Sequence, residues 1–158
     1  MAKHEANKIS APLLEALLAG QGSPRTIGQL AWRIRGGGTY GKITAEIKLE
    51  GCTNGILNMA FRERAPYQPT FSYLVNNVAA YRVCVNKDTN RAKGSHGHKY
   101  IPATGEEHNH SLPGCFQMIE NLQRPSNAQL RAAFEEFAGL VNVQLHEGYW
   151  IDPGEVTT

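Results

Sequence analysis

The clearest pattern in the chain is an alternation of period two. Ile43, Ala45, Ile47 and Leu49 alternate with Thr44, Glu46, Lys48 and Glu50. Successive side chains of a strand point to opposite faces, so this spacing predicts a strand with one wet face. Leu30, Trp32 and Ile34 alternate in the same way with Ala31, Arg33 and Arg35. Asn54-Gly55 is a hairpin signal, and residues 56–64 read as a third strand. Pro66 and Pro69 interrupt the run, residues 70–75 make a fourth strand, and Asn76-Asn77 a tight turn. Residues 79–86 make a fifth strand. There Tyr81, Val83 and Val85 share one face, and Arg82 and Cys84 the other.

Helical spacing occurs at the two ends. Leu13, Leu14, Leu17 and Leu18 predict a helix over residues 9–19, with Ser10 as its cap and Pro12 in its first turn. Leu130, Ala133, Phe134, Phe137 and Leu140 predict a second helix that starts at Ser126. Val141, Val143 and Leu145 suggest a last short strand. The order predicts an α+β domain: an antiparallel sheet of about five strands, with an N-terminal and a C-terminal helix packed on it. Residues 1–158 read as one domain, with flexible ends at residues 1–8 and 152–158. Residues 87–114 lack periodicity and read as a long loop, with a short strand around residues 99–101.

Composition changes this picture little, but the placement of charge changes it more. The 158 residues carry a formal net charge of +2. Residues 61–103 hold seven Lys and Arg against two Asp and Glu, and residues 104–158 hold two against eight. A basic middle suggests an anionic partner such as RNA or DNA. No apolar run approaches the ~20 residues of a membrane span, so no membrane partner is expected. Three cysteines without a CxxC pair, and no signal peptide, suggest a reducing cytoplasm.

Four of the six histidines fall in the aperiodic stretch as two His-x-His pairs, His96 with His98 and His108 with His110. In a strand, each pair presents two imidazoles to one side. Three readings follow. In the leading one, His96 and His98 act as general base and general acid on a nucleic-acid phosphodiester, as in a toxin-like ribonuclease, with Arg82 and Lys99 assisting. Lys87, Arg91, Lys93 and Tyr100 then supply the nucleic-acid contact. In the second, His96, His98, His108 and His110 bind zinc or another divalent transition metal, in a metal-binding domain or a hydrolase. In the third, the histidines are incidental and the basic middle segment is the interface of a non-enzymatic binder of nucleic acid or of a host-defence protein.

Other features have plainer explanations. The run Gly36-Gly37-Gly38-Thr39-Tyr40-Gly41 lacks the lysine and helix of a phosphate loop and reads as a flexible hairpin. Trp32 and Trp150 read as core or edge anchors. Cys84 reads as a buried thiol rather than a nucleophile. His4 and His146 are expected to be structural.

The strand Tyr81-Arg82-Val83-Cys84-Val85-Asn86, a polar insertion, and then Gly94-Ser95-His96-Gly97-His98-Lys99-Tyr100 resembles small prophage and mobile-element proteins with no assigned activity. The helix bearing Phe134-Glu135-Glu136-Phe137 adds to the likeness, which spans residues 55–143. His108 and His110 have no counterpart in it. The resemblance implies a bacterial or phage setting, where toxins, antitoxins and anti-defence proteins are common, and no mechanism.

Overall fold

A computed structural model describes residues 10–35, 41–52, 54–85, 95–101, 105–109, 116, 119 and 124–153. The elements in chain order are helix α1 (Ala11–Leu18), strands β1 (Arg25–Arg35), β2 (Lys42–Glu50), β3 (Gly55–Arg62), β4 (Ala65–Val75), β5 (Val78–Cys84), β6 (His96–Ile101) and β7 (Gly105–Asn109), and helix α2 (Asn127–Leu140). The strands form one sheet in the order β1-β2-β3-β4-β5-β6-β7, and every neighbouring pair is antiparallel. Each strand therefore pairs with the next one along the chain.

The α+β class stands as expected, but the sheet has seven strands rather than about five. β6 extends the short strand expected around residues 99–101, and β7 lies in the rest of the stretch read as a long loop. The expected strand at residues 141–145 reduces to one parallel bridge between Arg25 and Gln144. Asn142 has φ 57° just after α2, and this left-handed residue turns the chain before a strand can form.

Local chemistry explains the joints. Asn76 and Asn77 both have positive φ, 50° and 65°, which two-residue hairpins of matching twist require. A register shift between Ile27 and Ala31 interrupts β1, and Gly28, at φ 74°, lies within it. Ser126 and Gln129 form a reciprocal capping box at the start of α2. Ser10 caps α1 in the simpler way, accepting from the Leu13 N–H.

Both helices pack on one face of the sheet. Leu14 and Leu17 of α1 join Leu130, Ala133, Phe134, Phe137 and Ala138 of α2 in the buried core. The sheet contributes Trp32, Ala45, Ile47, Leu57, Met59, Phe71, Tyr73 and Val83. Phe71 is central, with its ring centroid 5.5 Å from Phe116 and 5.8 Å from Phe137. The segment after α2 runs beside β1. Thr26 N–H donates to Gln144 O, Leu30 N–H to Tyr149 O, and Trp32 Nε1–H to Ile151 O at 2.6 Å. Trp32 and Trp150 meet edge to face, so both act as anchors. His146 is structural, bonded through Nδ1 to Thr26 Oγ1 at 2.6 Å. No helix among the described residues is long and apolar enough to cross a membrane.

The opposite face of the sheet is polar. Arg33, Thr44, Glu46, Asn58, Thr70, Ser72 and Arg82 occupy successive cross-strand positions there. The wet side of the β2 alternation is this face.

Candidate metal centre

The register brings the basic end of β5 and the His-x-His segment together. β5 pairs with β6 so that Cys84 is opposite His96, Val83 opposite Gly97 and Arg82 opposite His98. Directly opposite residues project to the same side of a sheet. Cys84 and His96 are therefore neighbours across the strands, and His98 is two residues further along on the same face. Val83 and Gly97 point the other way, toward the helices.

Ligand atoms of Cys84, His96 and His98 all lie within 4.8 Å of one another. The two imidazole centroids are 4.5 Å apart, with their planes at 67°. All three residues are buried: relative exposure is 7 % for Cys84, 0 % for His96 and 6 % for His98. Nε2 of both histidines is shielded from solvent, as is Nε of Arg82. A tetrahedral zinc ion, with Zn–N of about 2.0–2.1 Å and Zn–S of about 2.3 Å, needs ligand atoms about 3.3–3.6 Å apart. The 4.8 Å span of the cluster is wider than that, so the side chains would have to draw together to hold an ion.

The glycine between the histidines has a geometric reason. A Cβ on Gly97 would lie 2.5 Å from the Tyr81 hydroxyl oxygen and 3.1 Å from its Cζ. Tyr81 in turn packs near Phe137 of α2, with centroids 6.3 Å apart. Gly97 thus admits the Tyr81 ring on the core side, while His96 and His98 share the opposite side.

The other expected site residues divide. Arg82 lies beside the pair, opposite His98. Lys99, expected to assist the histidines, does not join them. Its odd place in the alternation turns it to the helix face, where Nζ pairs with Glu15 of α1 at 2.5 Å. Tyr100 is half-buried against the core, opposite Glu106. The backbone of β7 places His108 opposite His98. The side chain of His108 lies outside the described residues, as do His110, Lys87, Arg91, Lys93, His4 and the glycine run at 36–40.

Cys84 is the member of the cluster that sequence reasoning did not assign to it. Its face was legible, because it alternates with Val83 and Val85. Its nearness to His96 depends on the β5–β6 register, which no local pattern encodes.

A groove of about 590 Å³ opens on the same polar face, lined by Lys42, Asn58, Ala60, Phe61, Arg62, Thr70, Ser72 and Arg82. Arg82 belongs to both places: it lines the groove and is the cross-strand partner of His98. No family model, curated protein or solved structure matches the chain.

Proposed function

We propose that this protein is a metal-binding domain whose β5–β6 pair holds a divalent transition metal, with zinc the best fit, through Cys84 Sγ and one ring nitrogen each of His96 and His98. The observation that carries this reading is the convergence of one buried thiol and two buried imidazoles across β5 and β6. A mixed sulfur and nitrogen donor set suits zinc. Three protein ligands leave a fourth position, which water would fill. The ion would cross-link β5 and β6, away from β1, along which the C-terminal segment runs.

The burial of both rings favours this reading over metal-free acid–base catalysis. A general base and acid must reach the substrate to within a hydrogen bond. A phosphodiester strand is bulky, and the two imidazoles expose almost no surface.

Cobalt substitution tests the proposal. Metal-free protein titrated with Co²⁺ is expected to develop tetrahedral visible bands and a thiolate-to-cobalt charge-transfer band, saturating at one equivalent. Cys84→Ser should remove the charge-transfer band, and His96→Ala should weaken binding. Featureless spectra from the wild-type protein would refute the reading.

A second reading adds phosphodiester cleavage at the metal; Arg82, which joins cluster and groove, favours it, and it requires the buried cluster to be uncovered for the substrate. Under this reading His96→Ala and His98→Ala each abolish cleavage of a mixed RNA substrate. Intact RNA after incubation with zinc-loaded protein would remove it.

A further inference from the structure

The polar sheet face carries a charge arrangement that folding alone does not favour. Lys42 on β2 is the direct cross-strand partner of Arg62 on β3, and also of Arg35 on β1. Lys42 and Arg62 therefore stand side by side on adjacent strands. Like charges directly opposite one another destabilise a sheet. Elsewhere on the face the opposite rule holds: Arg33 meets Glu46 at 3.9 Å, and Arg25 meets Glu50 at 2.5 Å. Among the described residues neither Lys42 nor Arg62 takes part in an ion pair.

These two cations line the groove, together with the neutral hydrogen-bonding groups of Asn58, Thr70 and Ser72. A groove of about 590 Å³ is within the size range of small-ligand sites. Concentrated positive charge beside neutral donors and acceptors suits a phosphate ester, whose anionic oxygens take the cations and whose sugar or base takes the neutral groups.

We propose that this groove binds a phosphate ester of nucleotide size, either a free nucleotide or one unit of a single strand, with Lys42 and Arg62 as the paired cations on its phosphate. The site stands on the groove and the Lys42–Arg62 pair, and needs neither the metal nor turnover.

The test uses the full chain and a fluorescein-labelled single-stranded uridine hexamer, followed by fluorescence anisotropy at low salt. Uridine monophosphate and inorganic phosphate serve as competitors. Binding is expected, and it should weaken as salt rises. Arg62→Glu and Lys42→Glu should each weaken it by about tenfold or more. Both residues are exposed, and either change converts a like-charged cross-strand pair into an opposite one, so these variants should melt no lower than the wild type. Lys48→Glu, exposed on β2 outside the groove, should change binding by less than about threefold. Competition by the monophosphate assigns a free nucleotide, and competition by unlabelled hexamer alone assigns a strand. The proposal is overturned if neither hexamer nor monophosphate binds, if Arg62→Glu and Lys42→Glu bind as wild type, or if Lys48→Glu loses as much. Metal-stripped protein that still binds the hexamer separates this site from the metal centre, and metal-loaded protein that does not bind it refutes this site alone.

Discussion

Gly97→Ala perturbs the centre without touching a ligand. The added Cβ would stand 2.5 Å from the Tyr81 hydroxyl oxygen, well inside van der Waals contact. Tyr81 is not free to swing, because its ring sits against Phe137 on α2. Either Tyr81 leaves this packing or β6 lifts from β5, and overpacking of this kind costs about 1–3 kcal/mol. For a chain of this length, each kcal/mol corresponds to roughly 2–4 °C in Tm. Removing the hydroxyl in Tyr81→Phe leaves Cζ as the nearest atom, at 3.1 Å, a gap that a shift of a few tenths of an ångström resolves. The double variant should therefore recover part of the loss, with a coupling of about 1 kcal/mol. Urea melts of the wild type, both single variants and the double variant measure that cycle. If Gly97→Ala is neutral to within about 0.5 kcal/mol, or Tyr81→Phe does not soften it, the packing argument fails.

Other outcomes follow from the same geometry. Phe71→Ala removes a fully buried ring between Phe116 and Phe137 and should cost about 3–5 kcal/mol in a urea melt. Burial pushes the Glu135 carboxyl up, but hydrogen bonds from Arg131 and Tyr149 outweigh it and hold the group below its usual range. Its contribution is therefore present above the unfolded-state pKa and disappears as pH falls through the folded-state value. Because Glu135 is over a third exposed, Glu135→Gln should cost under about 1 kcal/mol at neutral pH and nothing in strong acid, as paired melts would show. Lys99→Gln breaks the pair with Glu15 and should cost about 0.2–1 kcal/mol while leaving metal content unchanged, whereas loss of metal would place Lys99 at the centre after all.

The fold was legible wherever one face of an element is apolar. β2 declares itself through Ile43 to Glu50, α2 through Leu130 to Phe137 and the Ser126–Gln129 cap, and the β4–β5 turn through Asn76-Asn77. β6 showed only as a short strand around residues 99–101 and β7 not at all, because their residues are polar on both sides: His96, His98 and Tyr100 alternate with Gly97 and Lys99, and β7 reads Gly-Glu-Glu-His-Asn. Hydrophobic periodicity carries no signal there, and pairing to β5 is what makes β6 a strand. The site was half legible for the same reason. His96 and His98 stood out as a pair, and alternation put Arg82 with Cys84. The step that joins Cys84 to His96 and turns Lys99 away is a register, fixed by contacts between segments rather than within them.

The most direct test of the metal centre is elemental analysis of tag-free protein, paired with thermal melts in the presence and absence of a chelator. One equivalent of zinc or a related metal per chain is expected, lost in Cys84→Ser and His96→Ala, with a lower Tm for the chelated wild type. Wild-type protein with no stoichiometric metal, and a Tm indifferent to both chelator and added zinc, would contradict the account.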